Sequence, residues 1–197
     1  MTNAAGFSIL CVCTGNVCRS PAAERLLAAR LGPAVEVASA GTYGLVGAPI
    51  EEPMAKRLRL AGARDEGFRA RRLTAAAVRS ADLVLALTKA HRGDVVELVP
   101  AAVRRTFTLR EFQRLLSALE PTDLPVGPPA TRLHAAVPIL ATRRRPSRIS
   151  DDIDDPLGQP DAAYERAFRM IEEAADRISA VIVHGAPADG INSADSA

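Results

Sequence analysis

Residues 7–21 read Phe7-Ser8-Ile9-Leu10-Cys11-Val12-Cys13-Thr14-Gly15-Asn16-Val17-Cys18-Arg19-Ser20-Pro21. The first six form a short apolar run of the kind that makes a buried strand, and from Ala22 the spacing of Leu26, Leu27, Arg30 and Leu31 is helical. Pro21 falls where a first helical turn tolerates a residue without an N–H. Between strand and helix, Cys13 and Arg19 are separated by five residues. A loop at such a junction makes an anion cradle with a sulfur at its floor, because its N–H groups and the positive end of the helix point at the bound ion. Gly15 lets the backbone turn inward, Asn16 tolerates left-handed dihedral angles, and Ser20 can cap the helix. The competing reading is an ordinary strand–turn–helix whose cysteines are small buried hydrophobes.

Outward from this loop, strand and helix patterns alternate. Strands are expected near 7–13, 35–40, 82–88 and 104–108, and helices near 20–31, 51–62, 90–98, 109–118 and 160–184. The alternation predicts an α/β fold with a parallel sheet and helices on both faces. In such folds ligands bind at the carboxyl ends of the strands, where the Cys13 loop falls. Residues 119–150 stand apart. Pro121, Pro125, Pro128, Pro129, Pro138 and Pro146 punctuate them, and Arg143, Arg144, Arg145 and Arg148 make them basic. Residues 131–142 read as a short helix broken at Pro138. The segment is expected to be a solvated, mobile loop, with a lid carrying arginines to a phosphorylated partner as the alternative.

The whole is expected to be one domain over 1–184, with a flexible tail at 185–197. A net charge of +2 gives no global electrostatic case for nucleic acid or membrane binding. The 25 basic residues include only two lysines, Lys56 and Lys89. No leader-like segment or bilayer-length apolar run is present in the sequence, so membrane insertion is not expected and a cytoplasmic location is. Cys11, Cys13 and Cys18 lie within eight residues with no cysteine elsewhere, which is not a secreted disulfide framework. His91, His134 and His184 are scattered, and neither a metal site nor a cofactor is expected.

The chain resembles the low-molecular-weight protein tyrosine phosphatase family. Cys13 to Ser20 followed by Pro21 is similar to that family's active-site loop. Ser39-Ala40-Gly41-Thr42, Arg69-Ala70-Arg71-Arg72-Leu73-Thr74, Ala81 to Leu87, and Asp155-Pro156 resemble further blocks in the family's order. The resemblance covers residues 7–112 and 151–184 and marks 119–150 as an insertion. It implies a three-layer fold with a four-stranded parallel sheet in the order 2-1-3-4. It also implies hydrolysis of phosphotyrosine through a phosphocysteine, with a phosphotyrosine protein as partner, such as a bacterial tyrosine kinase or its targets.

Phosphoryl transfer to sulfur needs a thiolate, an anion cradle and a proton donor. Cys13 supplies the sulfur, whose charged form loop N–H groups and Arg19 favour. Thr14, Gly15, Asn16, Val17, Cys18, Arg19 and Ser20 form the cradle. The planar fork of Arg19 holds two equatorial oxygens, a geometry lost in Lys. Asp155, kept extended by Pro156, is the expected donor to the leaving oxygen and then the base for water. Asp151, Asp152 and Asp154 read as solvated loop residues. By resemblance, Ser20 donates to the thiolate, Asn16 braces the loop with Ser39, and Cys18 forms a reversible disulfide with Cys13; a merely packed thiol is the alternative for Cys18. Cys11 reads as core.

Two departures bear on substrate. Leu157-Gly158 follow Asp155-Pro156 where relatives carry aromatics, and Tyr43 is the nearest aromatic after Thr42. Phe68 stands where many relatives have a histidine. Three alternatives follow. A protein arginine phosphatase resembles this loop with Thr in place of Val17. An arsenate reductase would need an external thiol, because no cysteine follows Cys18. A phosphate-binding regulatory module without turnover would have no use for Asp155.

Overall fold

Strand β1 (Phe7–Cys13) is central because both its faces are apolar: Phe7, Ile9, Cys11 and Cys13 point one way, Leu10 and Val12 the other, and all are buried. The computed structural model describes residues 6–145 and 150–184. In it β1 pairs in parallel with β2 (Val35–Gly41) and β3 (Leu83–Ala86), and β3 pairs in parallel with β4 (Thr106–Thr108). The order is β2-β1-β3-β4, the one the resemblance implies. A strand buried on both faces needs a helical layer on each side.

The larger layer holds α1 (Arg19–Leu31), α2 (Glu52–Leu60), α5 (Leu109–Ser117) and α7 (Asp161–Ser179). Their Leu26, Leu27, Met54, Leu58, Phe112 and Ile171 cover the odd face of β1. The smaller layer holds α3 (Ala75–Ser80) and α4 (Lys89–Leu98), whose Val78 and Val95 cover Leu10 and Val12. Helix α3 was not expected from the sequence; Thr74 caps it by accepting from the Ala77 N–H. Strands β3 and β4 are shorter than expected. Leu87 still donates to the Val12 carbonyl, but the chain then turns into Thr88, which caps α4, and a 3-10 turn over Pro100–Arg105 occupies the start of the expected fourth strand. The final helix passes into a π turn at Ala180–His184.

Residues 119–145 are not the solvated loop expected, and the helix expected over 131–142 is longer and unbroken. Pro129–Arg143 form one helix, α6, continuous through Pro138, and Leu133, Ala136, Val137 and Leu140 on one face are buried in the main core. Those positions follow helical spacing, so burying them outweighs the lost bond at Pro138, which lies on the exposed face. Helix α6 sits at the amino ends of the strands: the His134 ring meets the Phe7 ring edge-on at 4.8 Å. Arg132, Arg143 and Arg144 are paired within the fold, and Arg145 lines a cleft with Lys89, Arg92 and Asp151. Arg143 grips Asp123 with both terminal nitrogens, at 2.8 and 3.0 Å. Arg144 donates to the Thr106 carbonyl and lies over the Phe107 ring at 4.2 Å. Arg148 and the expected tail at 185–197 lie outside the described residues.

Candidate active site

The loop between β1 and α1 is shaped by Asn16, the one non-glycine residue among those described with a positive φ, 57°. Its left-handed turn was expected. Gly15, expected to supply the inward turn, has no positive φ. The loop is stitched to the end of β2: Thr42 donates to the Cys13 carbonyl, Tyr43 to that of Thr14, Leu45 to that of Gly15, and Glu51 to that of Val17. Four carbonyls are thereby turned outward. Among the described residues, the N–H groups of Gly15 to Arg19 have no acceptor. Unpaired inward N–H groups at a helix start are the physical requirement for an anion cradle.

Gly41 must be glycine for this stitching. A Cβ there would lie 2.3 Å from the Thr14 carbonyl oxygen and 3.0 Å from the Asn16 nitrogen.

A buried chain of side-chain hydrogen bonds runs beneath the loop. The Arg71 N–H donates to Asn16 Oδ1 at 2.7 Å, which aims the Asn16 NH₂ at Ser20 Oγ (2.9 Å) and Ser39 Oγ (2.8 Å). Ser39 donates onward to Glu24 at 2.5 Å. Ser20 Oγ, already an acceptor from Asn16, lies 2.9 Å from Cys13 Sγ, where either atom can donate, and 3.5 Å from the Ala40 carbonyl; once the sulfur is a thiolate, only Ser20 can donate between the two. Ser20 therefore does not cap α1, contrary to the sequence expectation; Cys18 precedes the helix and no side chain caps it. Glu24 and Arg71 were not singled out from sequence, because their role exists only once β2 and the 69–72 segment lie beside α1. Phe68, in place of a histidine, packs under the Arg25 guanidinium at 5.6 Å.

Arg19 is buried at the mouth of the loop. Nη1 donates to the Ile153 carbonyl at 3.0 Å, Nη2 lies 2.5 Å from Asp155 Oδ2, and Nε has no partner among the described residues. The structure thus brings Cys13, Arg19 and Asp155 together from opposite ends of the chain. Asp155 is half-exposed and its Oδ1 accepts from the Leu157 N–H at 3.2 Å. Of its neighbours, Asp154 is exposed as expected, but Asp151 and Asp152 are not the solvated residues expected. Asp151 is buried against Arg114 at 3.0 Å, and Asp152 accepts the Lys89 N–H at the start of α4 at 2.7 Å. These ties, with Ile153 donating to the Leu87 carbonyl, anchor the 150–155 segment across the carboxyl end of the sheet.

Cys11, Cys13 and Cys18 are free thiols. Burial pushes the Cys11 thiol well up, and burial with Asp155 and Glu51 nearby pushes Cys18 up to about 12. Both remain neutral at ordinary pH, while Cys13 faces the Ser20 hydroxyl and the loop N–H groups. Apolar side chains rim the mouth: Tyr43, Leu45 and Val46 on the β2 side and Leu157 after Asp155 are all exposed. Among the described residues, no His, Cys, Asp and Glu cluster is placed to hold a metal ion, and no helix is long and apolar enough to cross a membrane.

Comparison with known proteins bears on the same residues. The profile described as "Low molecular weight phosphotyrosine protein phosphatase" matches residues 8–126. The chain is 43% identical over 105 residues to the low molecular weight protein-tyrosine-phosphatase Etp of Escherichia coli K12, spanning 53% of this chain and 70% of the relative. It is 31% identical over 173 residues to a protein-arginine-phosphatase of Geobacillus stearothermophilus, spanning 88% and 94%. The crystal structure of the Erwinia amylovora tyrosine phosphatase AmsI superposes with a TM-score of 0.67 at 27% identity, covering 93% of this chain and 97% of that one.

Proposed function

The chain belongs to the low molecular weight phosphotyrosine protein phosphatase family, and on that premise we propose that it hydrolyses phosphotyrosine in proteins through a phosphocysteine formed on Cys13. The observation that carries this reading is Cys13 Sγ 2.9 Å from the Ser20 hydroxyl beneath a loop whose N–H groups have no acceptor among the described residues, with Arg19 and Asp155 across its mouth. The Cys13 thiolate attacks phosphorus, and the bond to the tyrosyl oxygen breaks. Asp155 delivers a proton to that oxygen. The Arg19 fork and the loop N–H groups hold the three equatorial oxygens as their charge grows. In the second step Asp155 takes a proton from water, whose oxygen attacks the phosphocysteine. The Ser20 hydroxyl stabilises the departing thiolate, and inorganic phosphate leaves.

Residues 1–184 act as one phosphatase domain in this reading, and no cofactor or metal enters any step. The cytoplasm is the compartment in which the Cys13 thiolate stays reduced. With peroxide as oxidant, Cys13 forms a sulfenic acid with loss of water, and Cys18 displaces a second water to close a disulfide. Activity then returns on reduction.

A second reading is hydrolysis of phosphoarginine. It is favoured by the length over which the arginine phosphatase matches and by Leu157-Gly158 in place of aromatics. Val17, buried where that resemblance carries Thr, favours tyrosine. Wild type, Cys13→Ser and Asp155→Asn are to be assayed on an aryl phosphate and on phosphotyrosyl and phosphoarginyl proteins. An inactive wild type removes the phosphatase reading, activity that survives Cys13→Ser removes the nucleophile, and preference for phosphoarginine replaces the first reading with the second.

A further inference from the structure

His91, in the first turn of α4, is a buried titratable side chain without a part in the steps above. Its ring bridges two threonines. Nε2 lies 2.9 Å from Thr14 Oγ1, inside the Cys13 loop, and Nδ1 lies 2.9 Å from Thr88 Oγ1. Thr14 Oγ1 also accepts from Arg19 Nη2 at 3.4 Å, and Thr88 Oγ1 accepts the His91 backbone N–H at 3.2 Å.

Two tautomers satisfy the ring, and they differ in which threonine keeps a free hydroxyl hydrogen; in the first, the proton lies on Nε2. Thr88 Oγ1, already an acceptor, has its own hydrogen free to donate to Nδ1. The ring proton then sits on Nε2 and donates to Thr14 Oγ1. Thr14 Oγ1 accepts from His91 and from Arg19, which fills both lone pairs. Its hydroxyl hydrogen is left over, with no acceptor among the described residues. The opposite tautomer spends the Thr14 hydrogen on the ring and leaves that of Thr88 over, so an anion in the loop, which offers the Thr14 hydroxyl an acceptor, favours the first.

We propose that His91 is a positioning residue of the phosphate loop: through Nε2–H it holds Thr14 Oγ1 against Arg19 and leaves the Thr14 hydroxyl hydrogen to donate to the oxyanion bound there. This rests on the phosphatase reading and adds to the loop N–H groups and Arg19 a side-chain donor set from a different layer of the fold. The charged groups facing the ring are Arg19 from α1, Asp94 from α4 itself, and Asp152 and Asp155 from the segment over the sheet. Burial, then Arg19, holds the ring's pKa below its ordinary 6.5. An anion in the loop offsets Arg19, so its binding raises that pKa, and by reciprocity protonation of His91 tightens anion binding. Protonation adds a hydrogen at Nδ1 and keeps the Nε2–H donor to Thr14.

The test uses inorganic phosphate, with wild type, His91→Leu, His91→Gln, Thr14→Val and the Leu/Val double variant. NMR titration of the His91 ring, assigned by its loss in His91→Gln, is expected to move up by about one pH unit with phosphate. His91→Leu and Thr14→Val are each expected to weaken phosphate binding and raise KM for an aryl phosphate by about tenfold. The value of kcat should change much less, because the donor serves ground and transition states alike. The double variant should be no weaker than either single one. His91→Gln keeps an N–H for Thr14 and restores affinity, but it removes the tightening at acid pH.

Thermal melts identify any variant that does not fold, and the wild-type titration needs no variant to be stable. A His91 titration unmoved by phosphate, or a folded His91→Leu that binds phosphate as wild type does, overturns the assignment. A wild type that binds phosphate with this coupling but hydrolyses no phosphoester overturns the phosphatase reading and leaves the assignment of His91 standing.

Discussion

Arg19 Nη2 and Asp155 Oδ2 lie 2.5 Å apart, so the cation of the Cys13 loop is paired with the carboxylate across its mouth. Under the proposed mechanism an incoming phosphoryl group competes with Asp155 for Arg19 and frees the carboxyl for the leaving oxygen. Asp155→Asn is therefore expected to split binding from turnover. Its kcat on aryl phosphates should fall by about 10²–10⁴-fold, the usual worth of a positioned proton donor. Inorganic phosphate should bind at least as tightly as to wild type. The loss in kcat should grow as the leaving phenol becomes less acidic. Steady-state kinetics across a series of phenyl phosphates, with calorimetry for phosphate, measures both; weaker phosphate binding in the variant would contradict the competition.

Thiol chemistry should separate three cysteines only seven residues apart in their extremes. At neutral pH iodoacetamide is expected to modify Cys13 and spare Cys11 and Cys18, whose pKa values burial raises, and phosphate should protect Cys13. Peptide mapping by mass spectrometry reads the outcome, and labelling of Cys18 ahead of Cys13 would refute it. The raised pKa of Cys18 also has a stability consequence. Its neutral form is favoured in the folded chain, so the contribution is complete below the unfolded value of about 8.5 and is lost as pH rises towards about 12. Denaturant midpoints should decline over that range, and less steeply in Cys18→Ala.

His91 acts at the other end of the scale. Its folded pKa is lowered, so the folded protein takes up fewer protons than the unfolded chain just below pH 6.5, and stability falls as pH drops through that region. His91→Gln should flatten this acid limb in urea titrations between pH 7 and pH 5. A slope identical to wild type would show that other groups carry it.

Two glycines make opposite predictions. Gly41→Ala forces a Cβ against the Thr14 carbonyl and the Asn16 nitrogen, both backbone atoms that move only with the loop. It is expected to destabilise by about 1–3 kcal/mol or more and to abolish anion binding. Gly93, exposed in the middle of α4, has nothing within 4 Å of an added Cβ. Gly93→Ala should stabilise by about 0.5–1 kcal/mol without altering KM. Melting curves and KM for the pair test the contrast.

The features legible in sequence were those carried by neighbours in the chain. A cysteine, five residues and an arginine at a strand–helix junction require no tertiary information, and Asp155 was marked by the proline after it. The reading failed where a role depends on what lies alongside. Ser20 looked like a cap because it opens a helix, but the Asn16 amide donates to its oxygen and the Cys13 sulfur lies against it. His91 lies 77 residues from Thr14 and is linked to it only by the β1–β3 pairing. Asp151 and Asp152 looked solvated because they are charged, whereas Arg114 and the start of α4 claim them. Helix α6 was legible over 131–142 but not its continuity: Pro138 breaks a helix in isolation, and only the buried Leu133 and Leu140 on the other face show why it does not break this one.

Helix α6 meets the amino end of β1 at Phe7, while Cys13 ends the same strand at its carboxyl side. Substitutions on the outer face of α6 and substitutions in the Cys13 loop therefore share no side-chain partner, and their free energies should sum without epistasis. Changes to surface chemistry at one pole of the molecule are therefore expected to leave the Cys13 loop at the other pole undisturbed. The seven residues of β1 act as insulation between two independently tunable surfaces.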